Sequence, residues 1–272
     1  MKFNSWVRRS QARWATRMNG FEKFGVTHLS ASSLNLVKNA PDVWMAQKLA
    51  KKRFSGSPAM TRGIAIEDAV VAATATAATV DEAIELGHKR FDKQYPIGDI
   101  KSTKERAMIE PSIRLSVEAL QQYGKPDFEE KAGKFGQEKV SLSTHLNDGS
   151  VLEIIGYLDL VYPDHGLVID LKTTGRMPSV MSPEHQLQRA IYSHAKGNQA
   201  VKFLYVTPKK FVFLEDGDPG AILAQAKVQI QRLNDFLLTV DSVEHALSIV
   251  PHNPHSFYWN GAEQTRAELF GT

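Results

Sequence analysis

The sequence predicts one α/β domain, because its pattern changes near Phe135 from helical to β-rich. Helical patterns precede that point, first in a short segment capped by Ser30-Ala-Ser32 and then over 41–53, 58–80, 81–94 and 103–123. Strand patterns follow as KVSLSTHL, VLEIIGYLDLVY, LVIDLK, VKFLYV and KFVFLE, with a helix at 183–196 before the last two and helices at 221–238 and 243–249 after them. This order favours a central mixed sheet flanked by helices.

The domain organisation is predicted to be simple. No repeat stands out, and no Pro/Gly/Ser-rich linker separates independent units. We therefore expect a single domain over 1–272, with a mainly helical region at 1–130, a sheet and helix at 131–217, and C-terminal helices at 218–272.

The composition excludes several kinds of chemistry. The chain contains no cysteine, which rules out disulfides, thiolate zinc sites, cysteine-ligated iron–sulfur clusters and a Cys nucleophile. No GxxxxGK[ST] or GxGxxG loop suggests ATP hydrolysis or a dinucleotide. The N-terminus has no apolar core like that of a signal peptide, and the run 69–80 is too short to cross a bilayer. We expect an intracellular protein without a membrane partner.

The formal charge is unevenly distributed. Residues 1–62 contain twelve Lys or Arg and two acidic residues, a formal charge of +10, whereas the remainder carries −7. A basic first quarter suggests a polyanionic partner, although a solvated basic surface is the alternative. Within it, the residues predicted to contact such a partner are Lys51, Lys52, Arg53 and Arg62.

A predicted hairpin places charges among apolar residues. The turn 163–166 separates two apolar runs, and a loop of Asp164-His165 brings Asp159 opposite Asp170. A three-residue loop with a left-handed Gly166 would shift the register by one. The apolar pattern favours the first register, since it places Leu158, Leu160, Tyr162, Leu167, Ile169 and Leu171 on one continuous face.

The opposite face of this hairpin carries Asp159, Asp170 and Lys172. Like charges directly opposite each other on a sheet are destabilising, so something must compensate for them. A divalent cation such as Mg²⁺ or Mn²⁺ suits two facing carboxylates. A salt bridge to Lys172, with one Asp exposed at a sheet edge, is the other interpretation.

Gly156-x-x-Asp159 followed by Asp170-x-Lys172 resembles the core motif of the PD-(D/E)xK nuclease superfamily, especially its RecB-like and phage exonuclease branches. Three further elements are similar, in the same order along the chain: the opening at 29–34 with Ala40-Pro41, the Arg62-Gly63-x-x-x-Glu67 element, and the Gln188-x-x-x-Tyr192 helix. Leu158 replaces the motif's Pro, and Glu67 replaces a His of many members, as in enzymes of the lambda-exonuclease type.

The resemblance implies a restriction-endonuclease-like core and one or two Mg²⁺ (or Mn²⁺) ions, with no iron–sulfur cluster. The implied metal ligands are Glu67, Asp159, Asp170 and the Leu171 carbonyl. Lys172 would position a water or stabilise charge on the phosphate, while Gln188 and Tyr192 would support the phosphate or steady the lysine. Glu138 is a further candidate for a peripheral ligand.

The resemblance implies a Mg²⁺-dependent exonuclease acting on DNA ends in recombination, repair or degradation. Its expected location is the cytoplasm of a bacterial or phage-infected cell, and a homo-oligomer or a single-strand-annealing or replication partner is consistent with it. Three alternatives stay open: a non-catalytic DNA-binding or recombination-accessory protein that keeps the fold, an RNA-directed nuclease, and a structure-specific endonuclease. Strand polarity and the preference for single or double strands are not readable from the sequence.

Overall fold

The computed structural model describes residues 18–54, 56–95, 97–98, 100–127 and 137–271. Its helices are α1 (Gly20–Lys23), α2 (Ala31–Asn39), α3 (Pro41–Lys48), α4 (Pro58–Ala75), α5 (Val80–Asp92), α6 (Ile100–Ala107), α7 (Ile109–Leu120), α8 (Pro183–Ala195), α9 (Pro219–Thr239), α10 (Val243–Ile249) and α11 (Glu263–Phe270). Its strands are β1 (His28–Leu29), β2 (Glu138–His145), β3 (Val151–Leu158), β4 (Leu160–Tyr162), β5 (Leu167–Thr173), β6 (Ala200–Val206) and β7 (Phe211–Leu214). The protein is a mixed α/β structure.

The helix starts follow the capping signals in the sequence. Ser30 accepts a hydrogen bond from the Ser33 amide and caps α2, while Ser57 precedes Pro58 at the start of α4. Ser182 caps α8 in the same way, just before Pro183. These side chains satisfy amide groups that the first helical turn leaves without partners. None of the helices in the described ranges is long and apolar enough to cross a membrane.

Several predicted boundaries were wrong. The helix predicted over 103–123 is two helices, α6 and α7, which meet at Met108. The helix predicted to end near Arg53 ends at Lys48, and Lys51 adopts a left-handed φ of 54°. The pattern gave no signal for the short elements α1, β1 and α11, because two to eight residues are too few to show a period.

The strands form two mixed sheets rather than the one central sheet predicted. One sheet has the order β1-β3-β2 and the other β4-β5-β6-β7. In each, one pair is parallel: β1 with β3, and β5 with β6. The segment 151–162, predicted as one strand, bends at Asp159, so that β3 ends in the first sheet and β4 begins in the second.

The β4–β5 hairpin has the predicted register. Leu160 pairs with Ile169, and Tyr162 pairs with Leu167. A 3₁₀ turn at Pro163–His165 connects the strands, and Gly166 is left-handed with φ 56°. The left-handed glycine considered with the rival register is therefore present, but the turn accommodates it without shifting the pairing.

Strand β5 is buried on both faces. Leu167, Ile169 and Leu171 pack with Leu160, Tyr162 and apolar residues of α4, α5 and α7. Val168 belongs to the opposite cluster, with residues of α8 and α9. Leu158 also lies in that second cluster and not with Leu160 as predicted, because the bend at Asp159 interrupts the alternation of side chains.

Candidate functional site

Asp159 lies where the two sheets separate. Its side chain is only 7% exposed, and its Oδ2 accepts a hydrogen bond of 2.9 Å from the Leu171 backbone amide. The chain bends at Asp159, between β3 and β4. At this bend the Asp159 carboxylate, rather than a backbone carbonyl, accepts the hydrogen bond of the buried Leu171 amide of β5. The Leu171 contact observed here involves its N–H, whereas the carbonyl ligand implied by the resemblance stays a prediction.

Gln137 joins Asp159 to Glu67. Its Nε2 donates to Asp159 Oδ1 at 3.0 Å and also to Glu67 Oε1 on α4. The amide therefore holds two carboxylates from distant parts of the sequence against each other. The sequence pattern did not indicate this residue; the adjacent Glu138, considered only as a peripheral ligand, pairs with Lys196 at 2.9 Å. The side chains of successive residues in an extended chain point in opposite directions. Gln137 therefore faces the carboxylates, while Glu138 faces Lys196.

Asp170 is the most buried of the three carboxylates, at 1% exposure. Its Oδ1 accepts a hydrogen bond of 2.9 Å from Gln188 Nε2. Its buried Oδ2 forms an ion pair of 2.5 Å with Lys172 Nζ. The Lys172 ammonium also lies 5.3 Å from the centre of the Phe203 ring.

Helix α8 covers this face of the sheet. Gln188 contacts both Asp170 and the Tyr192 hydroxyl, the latter at 2.8 Å, so the i,i+4 pair reaches the carboxylate as predicted. Gly156 makes the approach of Tyr192 possible, since a Cβ atom there would lie 2.4 Å from Tyr192 Cε1. The glycine of the Gly156-x-x-Asp159 motif thus has a packing role. The catalytic roles of Gln188 and Tyr192 stay predictions.

The three carboxylates share an unfavourable electrostatic environment. Burial and the neighbouring Asp170 raise the pKa of Glu67 to about 7. Burial and Glu67 raise the pKa of Asp159 to about 7, against the opposing effects of Lys172 and the Leu171 amide. Burial likewise raises the pKa of Asp170 to about 7, although Lys172 opposes the shift. Without a bound cation the cluster favours protons.

Lys172 remains a cation. Burial lowers its pKa, but Asp170 and Asp159 outweigh this effect and raise it above its ordinary value. His185 lies one turn before Gln188 on α8, with its Nδ1 2.6 Å from the Tyr205 hydroxyl. Burial and the nearby Lys172 lower the pKa of His185 to about 4, so the imidazole is neutral. No sequence pattern marked this residue as part of the site.

The donor set has the chemistry that a hard divalent cation prefers, but its arrangement in the structure is not one that could hold a metal ion. Three carboxylates converge, and Asp170 Oδ2 is a buried oxygen paired with the Lys172 ammonium. Carboxylate oxygens are the ligands that Mg²⁺ and Mn²⁺ prefer. The described residues contain no group of three acidic or histidine side chains already in ligating positions. Glu67 and Asp159 are held by Gln137 instead, so binding a cation requires their side chains to exchange this partner.

The predicted DNA-contacting residues have different positions. Arg62 is 5% exposed; it forms an ion pair with Glu105 and donates to the Thr173 carbonyl at 3.3 Å. This buried position differs from the predicted contact with DNA. A charged side chain is retained at a buried position when it is paired, as Arg62 is. Lys52 forms an ion pair with Glu268 at 3.1 Å, while Lys51 and Arg53 are exposed after α3.

The fold and this cluster define a mixed α/β protein with a buried site of three carboxylates and a lysine. No protein-family model matches the chain, and no curated protein matches it. Among solved structures, the crystal structure of SSO0001 aligns with 77% of this chain and 94% of its own length. Its sequence identity is 12% and its TM-score 0.35. A likeness at that level carries no argument about this protein.

Proposed function

We propose that the protein is a Mg²⁺-dependent nuclease that hydrolyses DNA phosphodiester bonds, with a restriction-endonuclease-like core and a preference for DNA ends. The observation that carries the proposal is the convergence of Glu67, Asp159 and Asp170 beside a partly buried lysine cation. Such a cluster is costly for folding without a cation. The proposed setting is DNA recombination, repair or degradation in the cytoplasm.

Each residue of the cluster has a proposed role. Glu67, Asp159 and Asp170 hold the cation, with Mn²⁺ as an alternative to Mg²⁺. When bound, the metal lowers the pKa of a water and neutralises charge on the phosphate. Lys172, kept as a cation by Asp170, stabilises negative charge that develops on the phosphate rather than removing a proton from water. Gln188 and Tyr192 position Asp170 and Lys172 from α8.

A non-catalytic DNA-binding protein is the second candidate, and one observation favours it. Gln137, Gln188, Lys172 and the Leu171 amide already satisfy most of the carboxylate oxygens. A polar network of this kind fixes the relative positions of α4, α8 and β5 without any reaction. The two candidates differ in one measurable respect, because only the nuclease consumes DNA in the presence of Mg²⁺.

The test is cleavage of end-labelled linear duplex and single-stranded DNA and of RNA, with Mg²⁺ or with EDTA. We expect cleavage of DNA with Mg²⁺ alone, and loss of cleavage in Asp159→Asn and Asp170→Asn. Lys172→Met is expected to keep DNA binding and to lose about 10²-fold in turnover at saturating DNA, as for a group that acts in the transition state.

Asp164→Asn is the matched control for the cleavage assay. Asp164 belongs to the same hairpin as Asp170 but is exposed at the turn, so its substitution is expected to leave the rate unchanged. DNA binding without cleavage at any Mg²⁺ or Mn²⁺ concentration would support the non-catalytic candidate. Cleavage in excess EDTA would contradict the metal proposal.

A further inference from the structure

A cleft of about 440 Å³ opens at the carboxyl ends of β5 and β6. We call it the cationic cleft; the residues that define it are Met108, Arg176, Met177, Thr207, Lys209 and Lys210. Gly175 in its wall is three residues beyond Lys172, which corresponds to about 11 Å of extended chain. The cleft is therefore next to the carboxylate site.

Two adjacent turns form the cleft and hold their own shape. After β5, Thr174 Oγ1 accepts a hydrogen bond from the Arg176 amide and donates to its carbonyl. After β6, Thr207 Oγ1 accepts from the Lys209 and Lys210 amides. A bond of 2.9 Å from the Thr174 amide to the Val206 carbonyl joins the two turns. The backbones that carry the three cations are thus fixed relative to each other.

Met108 forms the facing wall, at the junction of α6 and α7. The buried Arg62 side chain holds this junction in place: its Nη1 contacts Met108 Sδ at 3.6 Å and pairs with Glu105, while its Nη2 donates to the Thr173 carbonyl. The break that divides the predicted helix therefore positions a wall of the cleft. Arg62 is buried beneath the cleft, so it supports the position of Met108 and does not contact a ligand directly.

The charges of the cleft are unbalanced. Arg176, Lys209 and Lys210 are exposed, and within the described ranges none of them lies in a salt bridge. No acidic residue is among the described residues that line the cleft. Three cations on fixed turns suit a ligand with regularly spaced negative charges, such as a phosphodiester backbone.

We propose that the cationic cleft binds the phosphate backbone of the DNA strand that enters the carboxylate site, which extends the proposed nuclease function. The contacts are to phosphates only, so they are independent of base sequence. Residues 51–53 are then not the main DNA contact among the described residues. The strand runs past the ends of β5 and β6 on its way to Lys172.

The test is DNA binding measured without turnover. Fluorescence anisotropy of a labelled single strand and a labelled duplex is recorded in EDTA over a range of salt concentrations. The variant with Arg176→Gln, Lys209→Gln and Lys210→Gln is expected to bind both at least about tenfold more weakly at low salt. Its plot of log K against log salt is expected to be shallower by about two to three units. A labelled RNA strand shows whether the cleft distinguishes the two backbones.

A variant with Lys89→Gln, Lys93→Gln and Lys227→Gln is the control. It removes the same charge from three exposed positions: one on α5, one just after α5 and one on α9. It is expected to bind DNA as the wild type does. Circular dichroism confirms that both variants fold. A cleft variant that carries Arg176→Lys in place of Arg176→Gln is expected to bind DNA more tightly than the original cleft variant. Equal binding by the cleft variant and the control would overturn the proposal, as would a wild type that binds no DNA.

The proposal that the cleft binds DNA and the proposal that the protein is a nuclease can be contradicted independently. Loss of binding in the cleft variant, with a wild type that never cleaves, supports the cleft and contradicts the nuclease. Cleavage by the wild type, with unchanged binding by the cleft variant, supports the nuclease and contradicts the cleft.

Discussion

At the scale of single residues, the feature that most constrains this protein is the buried carboxylate cluster. Glu67 and Asp159 share one amide donor, and Asp170 depends on Gln188 and Lys172. Burial, together with the repulsion of each carboxylate by its neighbours, raises all three pKa values to about 7. The charge of the cluster therefore links stability to pH.

Glu67→Gln is expected to stabilise the metal-free protein in a pH-dependent manner. Because the folded-state pKa of Glu67 is raised from 4.5 to about 7, its protonated form stabilises the fold at low pH, and this contribution is lost as the pH rises through about 7. Glutamine stays neutral throughout. In EDTA we expect the variant to gain on the order of 2 kcal/mol relative to the wild type between about pH 5 and about pH 8.

Urea denaturation across this pH range measures the effect. Glu85→Gln, which changes an exposed carboxylate on α5, is the matched control and is expected to follow the wild-type profile. Mg²⁺ at about pH 8 is expected to stabilise the wild type more than Glu67→Gln, since a ligand bound only by the folded state raises its stability. Parallel pH profiles for wild type and Glu67→Gln would show that Glu67 is not in the proposed environment.

At the scale of secondary-structure elements, the sequence predicted what local rules control. The start of α2 followed from its cap at Ser30, and the hairpin register followed from one continuous apolar pattern. The bend at Asp159 and the break at Met108 could not be predicted in this way. Both depend on contacts with distant residues, Leu171 in one case and Arg62 in the other.

The residues of the candidate site differ in the same respect: local sequence patterns indicated some of them, while others depend on contacts between distant parts of the chain. Asp170 and Lys172 lie two residues apart on β5, so the period of the strand predicted their shared face, and the hairpin brought Asp159 close to Leu171 between them. Gln137 joins the site through a bond to Glu67 that spans 70 residues of sequence, and no local pattern marks it. Arg62 had been predicted to face DNA because a sequence gives its charge but not its burial.

Gly156→Ala tests the packing of α8 on β3. The added Cβ would lie 2.4 Å from Tyr192 Cε1, so the ring or the helix must move, and Gln188 must move with it. Overpacking of this kind costs about 1–3 kcal/mol. We expect a lower thermal midpoint and weaker Mg²⁺-dependent cleavage.

Gly220→Ala is the control, because a Cβ at this exposed position meets only Asp218 Oδ1, at an ordinary contact distance of 3.4 Å, and the residue has no positive φ. In a Tyr192→Ala background, which provides space, the destabilisation by Gly156→Ala is expected to disappear. An unchanged cost in that background would place the clash elsewhere.

At the scale of the whole molecule, positive charge is concentrated in two parts of the chain. Residues 1–62 carry a formal charge of +10, and five of their twelve basic residues fall in 1–17, outside the described residues. The cationic cleft adds three exposed cations beside the site. In the part of the chain that the structure describes, the exposed cations do not resemble a surface for reading base edges, which requires side chains arrayed in a groove. Charge of this kind attracts DNA regardless of sequence and makes binding dependent on salt.

We therefore expect degradation from DNA ends rather than cleavage at specific sequences. The comparison is between a covalently closed circular duplex, a closed single-stranded circle, and the linear form of each, with Mg²⁺ at several salt concentrations. Linear DNA is expected to disappear while the closed circles persist, and the rate is expected to fall steeply as salt rises, because counterions compete for the phosphates. Nicking the circle, which creates an end without changing its sequence, is the matched control. Equal rates on closed and linear DNA would contradict the exonuclease assignment and leave a nuclease that cuts internally.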